Sequence, residues 1–371
     1  MAAILFARDF VLGIVVGVVG VALLAAAGAV MMLRASAAYS LGHWKLNLKT
    51  PMDTMWMNLG YWYVRARRWD VESSADGFIS RRDEDGKPVS RFDEACHGLL
   101  RELLKAAGLF RPGTNPEAVA VLDLGFGCGD QMMALTRLLR PKSSSHLRYV
   151  GLTLNRSQLQ TAERRLQREL ASPEDTGVAL DRECFRLFCA DAAQPTSWSP
   201  AVRDAVLSVA DADFGHRWLL ALDCLYHFKP SRKPVFQFAA KKLDANVVAF
   251  DLVLNEKASL RDTLLVRIVG LLMGCPLRTF LTEERYRADM VECGYESESI
   301  SIRDISNDVF AGVTDYLERQ EAALSRYGIS IGGFKLAGRL FGWFDRSRVV
   351  KAVIVVGRTK KEQGHAKSIS R

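Results

Sequence analysis

The densest chemistry in the chain lies in Val119-Ala-Val-Leu-Asp123-Leu-Gly125-Phe-Gly127-Cys-Gly129-Asp130-Gln131. An apolar stretch ends in an acid, three glycines follow at alternate positions, and a helical pattern resumes. Glycines there let the backbone turn sharply and let a cofactor pass where a Cβ would collide. Two further apolar stretches end in polar residues, at Gly151-Leu-Thr153-Leu154-Asn155-Arg-Ser-Gln158 and at Phe188-Cys-Ala190-Asp191-Ala192. Helix caps at Asn155, Ser157 or Asp191 are the plain structural alternative to ligand contacts. A fourth stretch ends Asp223-Cys-Leu-Tyr226-His227-Phe228. Histidine titrates near neutrality, so His227 suits a general base, unless it is a buried imidazole satisfied by a neighbouring carbonyl. Upstream, Met57-Asn-Leu-Gly-Tyr61-Trp62 presents aromatic faces that either attract a cation or anchor the chain at a membrane interface.

These residues need a scaffold that brings several strand ends together. A helical period covers Asp93 to Ala107, stopped by Gly108 and Pro112. Strand patterns follow at 118–124, 148–154, 185–190, 218–223 and 246–254, separated by helical patterns at 131–139, 158–170 and 235–242. Such alternation predicts an α/β, doubly wound, Rossmann-like sheet, mostly parallel, with ligands at the C-terminal ends of its strands. Beyond it, 283–293 reads as helix, 297–304 as strand and 349–356 as a final strand, expected to be antiparallel. The 258–282 and 305–348 segments then form helical cap insertions. Their apolar stretches, Leu264 to Cys275 and Phe334 to Phe344, are expected to cover a hydrophobic acceptor; the first, at 12 residues, is too short to span a bilayer.

The Asp-x-Gly-x-Gly-x-Gly spacing resembles motif I of the class I S-adenosylmethionine-dependent methyltransferases. The G-L-T-L-x-x-x-Q run is similar to the cyclopropane fatty acid synthase, tocopherol and sterol methyltransferase branch, with a methyltransferase type 11-like domain. The resemblance covers about 119–260 well and reaches more loosely to 357. It implies S-adenosylmethionine as cofactor, with Gly125, Gly127 and Gly129 near its amino acid end and Asp123 organising the loop or the ammonium. Thr153, Leu154 and Gln158 would hold the ribose, and Asp191 with Ala192 the adenine. His227, Tyr226 and Tyr61 would face the methyl acceptor. Tyr226 stands where cyclopropane synthases resemble a Glu, which argues against cyclopropanation. The implied activity is methylation of a lipid or other apolar small molecule at N, O or C. A catalytically silent, cofactor-binding partner of a membrane assembly is the alternative.

Composition fits a membrane-associated enzyme. The 371 residues are 49% hydrophobic and 25% charged, which excludes disorder. Seven cysteines without a CxxC pair point to free thiols, with neither a disulfide framework nor a structural metal. Residues 10–33 form an uncharged apolar run, long enough at 1.5 Å per residue to cross a bilayer and longer than a secretory signal core. We expect a retained anchor after a short flank at 1–9. A juxtamembrane and N-terminal cap segment at 34–92, the methyltransferase domain at 93–357 and a basic tail at 358–371 follow. Of the net charge of +8, residues 34–68 carry +5 and 357–371 carry +4, leaving the remainder near neutral. Basic ends around a neutral body fit anionic headgroups better than nucleic acid. The positive flank after residue 33 places the body in the cytosol, as expected of a single-pass protein of the endoplasmic reticulum if the cell is eukaryotic. The sequon at Asn155 falls within the expected cofactor site, where a glycan could not be accommodated.

Overall fold

The computed structural model describes residues 20, 54–63, 87, 89–110, 118–139, 141, 143–171 and 181–359. Nearly all of the expected anchor and of the basic tail, and most of 34–92, lie outside the described residues. Among the described residues no helix is long and apolar enough to cross a membrane.

Seven strands form one sheet: β1 (Val119–Leu124), β2 (Leu147–Thr153), β3 (Phe185–Cys189), β4 (His216–Leu222), β5 (Asn246–Leu254), β6 (Ser301–Asp304) and β7 (Val350–Gly357). Their order is β3-β2-β1-β4-β5-β7-β6. The first five pair in parallel, while β7 runs antiparallel between β5 and β6. The chain therefore reverses direction between β1, which leads outward to β2 and β3, and β4, which leads the other way. A crevice opens at that switch, above the C-terminal ends of β1 and β4.

Both sheet faces are covered, which explains why β1 and β5 are apolar at nearly every position rather than alternating. On one face Val121 of β1 and Phe250 of β5 pack with α1 (Phe92–Ala107), α2 (Asp130–Leu139) and α3 (Arg156–Ala171). On the other, Leu122 and Ala249 pack with α4 (Pro200–Leu207), α5 (Lys233–Phe238) and α7 (Glu283–Cys293). Between α5 and α7 lies α6 (Leu260–Leu272), of which only Val266 and Gly270 are buried.

Two expectations about the caps part company here. Segment 305–348 forms α8 (Ser306–Ser325) and α9 (Phe334–Ser347), but these do not cover the crevice. Phe341 of α9 stacks on Phe310 of α8 and Phe344 meets it edge-on, with centroids 6.3 and 5.6 Å apart, and the pair of helices packs in the same layer as α1. An apolar stripe on a helix satisfies a sheet face as well as it satisfies a ligand, so periodicity alone could not separate the two. Segment 258–282, by contrast, does reach the crevice through Met273 and Gly274.

Candidate active site

A cavity of about 700 Å³ occupies the crevice. Its floor is the turn after β1, where Gly125, Gly127 and Gly129 all have positive φ, at 75°, 65° and 96°. A Cβ at Gly125 would lie 3.1 Å from Cys224 Cβ, and one at Gly127 3.0 Å from Met57 Cε, so two walls of the cavity close on this turn. Gly129 does not line the cavity. Its absent side chain lets α3 approach, since a Cβ there would meet Ala162 at 3.1 Å.

Asp123 is placed differently from the ligand role. It is fully buried below the turn, and its two oxygens accept hydrogen bonds from Gln131 Nε2 at 2.7 Å and from the Tyr149 hydroxyl. Burial raises its carboxyl to about 7. It does not line the cavity; it ties β1 to β2 and to the first turn of α2, and so organises the loop.

The ribose and adenine candidates do converge. Thr153, Leu154, Gln158, Asp191 and Ala192 line one wall. Thr153 Oγ1 donates to Gln158 Oε1 at 2.9 Å, fixing the amide at the cavity edge. Asn155 caps α3, accepting from the Ser157 and Gln158 amides at 2.9 and 3.2 Å, so the capping alternative holds at Asn155 alongside the cavity role of its neighbours. Asp191 accepts from the Ala193 amide at 2.9 Å and from Gln194 Nε2 at 3.1 Å, which holds its carboxylate at the strand end.

The opposite wall is the turn after β4. His227 lines it, with its Nδ1 3.5 Å from the Cys275 thiol and its ring 4.4 Å from that of Tyr226. Burial, helped by Lys229, lowers the imidazole to about 4. At neutral pH His227 is therefore uncharged and a weak base, contrary to the expected titration near neutrality. Tyr226 does not line the cavity; its hydroxyl donates to Asp223 Oδ1 at 2.7 Å. Tyr61 is also outside the cavity, stacked edge-on against Tyr63 at 4.7 Å, with its backbone amide donating to the Ala95 carbonyl at 2.7 Å. Burial and the nearby Asp308 carboxylate push its phenol well above the usual range. Trp56 and Trp62 are buried, so they pack inside the body rather than standing at a membrane interface.

Two residues that carry the site were not singled out from sequence. Asp223 lines the cavity at a left-handed φ of 64°, an unfavourable conformation for a residue with a Cβ, retained here where its carboxyl meets the Tyr226 hydroxyl and the Leu59 amide. Burial raises it to about 7, against the opposing pull of those two hydrogen bonds. Asp130, at the start of α2, accepts from the Met55 amide at 3.1 Å and from Arg165 at 2.6 and 2.8 Å. This clamp fastens Met55 to Asn58 across the cavity mouth. Both acids stood inside quoted motifs, but nothing in a single sequence says which strand-end or helix-start acid turns inward.

No protein-family profile matches the sequence, and no curated protein does. Among solved structures, a protein from Galdieria sulphuraria described as a sarcosine dimethylglycine methyltransferase superposes with a TM-score of 0.51 at 14% identity, over 76% of this chain and 92% of that one. The fold is that of the S-adenosylmethionine-dependent methyltransferases. Geranyl diphosphate C-methyltransferase from Streptomyces coelicolor, solved with Mg2+, geranyl diphosphate and S-adenosyl-L-homocysteine, superposes at 0.50 with 11% identity, over 86% of this chain and 97% of that one. In this methyltransferase fold the turn after β1 and the ends of β2, β3 and β4 meet in one cavity, as the sequence pattern predicts.

Proposed function

We propose that the chain is an S-adenosylmethionine-dependent methyltransferase acting on a lipid or other apolar small molecule, held to a membrane through residues 10–33 with its folded body on the cytosolic side. One observation carries the reading. A single cavity is lined by a positive-φ glycine turn, the Thr153–Gln158 pair, Asp191 and, facing them, Asp223 and His227. The cofactor fits these residues because side chains at Gly125 and Gly127 would close the cradle, and because the carboxylate and amide at its far wall suit a nucleoside's amino and hydroxyl groups. The Streptomyces neighbour, solved with S-adenosyl-L-homocysteine, supports the assignment.

When bound, S-adenosylmethionine supplies a methyl group already activated for transfer by its sulfonium. The work left to the chain is alignment, exclusion of water and removal of a proton. Asp223, titrating at about 7, is matched to accept a proton from an amine or hydroxyl at working pH. Tyr226 aims that carboxylate, and neutral His227 is placed to hold the acceptor by a hydrogen bond rather than to deprotonate it. Met57, Phe228 and Met273 give the cavity apolar walls that suit an apolar acceptor.

The test is calorimetric binding of S-adenosylmethionine, followed by labelled-methyl transfer over fractionated lipids and metabolites. Gly127→Val is expected to abolish binding, since it adds a β-branched side chain at φ 65° against Met57. Wild-type affinity in that variant would show that the turn is not the cofactor cradle.

A further inference from the structure

The helix beside the cavity is built the wrong way round for a helix that only packs on its own protein. Of the thirteen residues of α6, Val266 and Gly270 alone are buried, and Gly270 is pinned under Phe280, where a Cβ would lie 2.6 Å from the ring. Leu260, Leu264, Leu265, Ile268 and Leu271 are exposed, and Leu277 continues the patch beyond the helix. Leu260 is 91% exposed and Leu264 60%. Large apolar side chains gathered in this way on one surface mark a contact with something apolar. The helix has a proper start, with Ser259 accepting from the Asp262 amide at 3.1 Å, so the exposure belongs to a formed element.

We propose that α6 lies in the surface of an anionic bilayer and that the acceptor reaches the cavity along it. This rests on the methyltransferase reading above and adds the route of the acceptor. Three observations choose a membrane over another occupant. First, within 256–278 the exposed Lys257, Arg261, Arg267 and Arg278 outnumber Glu256 and Asp262, so the segment that carries the apolar patch is net basic and complements anionic headgroups. Second, the patch is continuous with the cavity. The chain leaving α6 passes through Met273 and Gly274, which line the cavity, to Cys275, whose thiol touches His227. Third, the uncharged run 10–33 ends 21 residues before Thr54, and Met55 to Asn58 wall the same cavity. Fully extended, that connection reaches roughly 70–75 Å, so a membrane-embedded 10–33 run tethers the folded body to the bilayer and lets α6 and the cavity mouth lie against it. At thirteen residues α6 is too short to span; lying in the interface lets its leucines enter the acyl boundary while the arginines extend to the headgroups.

The test uses the full chain in vesicles of phosphatidylcholine and phosphatidylserine, with Leu264 or Ile268 replaced by the photocrosslinker p-benzoylphenylalanine. Exposed Gln167 on α3 is the control position. Illumination is expected to yield phospholipid adducts at 264 and 268, at least roughly tenfold above those at 167, and the added substitution Leu265→Glu in the 268 variant is expected to cut them by a similar factor. Vesicle-bound protein that gives no adduct at 264 and 268 overturns the proposal. Cross-links from these positions to a second copy, or to residues 10–33 of the same chain, also overturn it by assigning the face to protein. S-adenosylmethionine affinity measured on the same vesicles separates the two readings. Adducts without cofactor binding count against the methyltransferase assignment alone, and cofactor binding without adducts counts against the membrane face alone.

Discussion

Asp223 and His227 stand four residues apart on one turn, and burial moves their titrations towards each other's ordinary ranges: the carboxyl rises to about 7 and the imidazole falls to about 4. Both shifts favour the neutral form, as expected for groups withdrawn from water. The consequence is a reversal of roles. Deprotonated Asp223 is the stronger base, so kcat/KM is expected to rise with pH through about 7 and to show no limb attributable to His227 above 5. Asp223→Asn is expected to lower turnover by roughly 10²-fold or more while leaving calorimetric cofactor affinity near wild type. Tyr226→Phe removes a donor that favours the carboxylate, so the acidic limb of the profile should move to higher pH. An unmoved limb would sever Tyr226 from the catalytic group. The sequence drew attention to the histidine because its residue type is rare and its intrinsic titration is near neutral. The aspartate went unselected because its raised titration comes from burial and from partners, Leu59 among them, that are far away in the chain.

At the scale of elements, two ion pairs anchor the walls of the cavity. Arg232 and Asp251 are both almost wholly buried and are joined at 2.5 Å, while Arg232 also donates to the Thr279 carbonyl at 2.6 Å and the Tyr286 hydroxyl donates to Asp251 at 3.1 Å. The cluster fastens β5, the chain after α6 and α7 to one another beneath the site. Leaving one member of such a pair uncompensated costs on the order of 3–5 kcal/mol, so Arg232→Met should lower the urea midpoint substantially, whereas a well-packed double replacement of Arg232 and Asp251 should recover much of the loss. Asp130 and Arg165 act at the mouth instead. Asp130→Asn is expected to leave the urea midpoint less affected than Arg232→Met does and to weaken cofactor binding by roughly tenfold, because the Met55–Asn58 strip loses its clamp. Equal losses of stability in the two variants would make Asp130 a scaffold residue. The elements themselves were readable where one pattern had one meaning. Strand 246–254 and helix 283–293 appear with the bounds that their runs imply, since a nine-residue stretch apolar at all positions but Asn246 and Asp251 and a capped helix have few alternatives. The strand expected over 297–304 is shorter, because Ser297 to Ser299 close a tight turn and only 301–304 pair with β7. Neither buried ion pair was visible, since each joins residues remote in sequence.

Among the described residues, all seven strands and the residues that line the cavity fall within 54–359, and the two core layers are built from residues 56–356. Folding and cofactor binding should therefore survive removal of residues 1–34. Membrane attachment should change in kind rather than vanish. With the long apolar run gone, the exposed leucines of α6 and the basic residues of the same segment remain, and an interfacial helix binds with modest, composition-dependent affinity. The truncated chain is expected to co-sediment with phosphatidylserine-containing vesicles at low ionic strength, and to be released by raised salt because screening acts on the headgroup attraction. The full chain should resist both salt and carbonate. The distinction has a sequence origin: hydropathy shows 10–33 plainly, since nothing interrupts it, but the apolar pattern of α6 fits a cap over an acceptor until its neighbours are known to bury only Val266 and Gly270. Truncated protein that stays bound through carbonate would move the principal membrane element into the folded body. Truncated protein that ignores anionic vesicles at every salt concentration would leave residues 10–33 as the sole attachment and remove the bilayer as the route by which the acceptor enters.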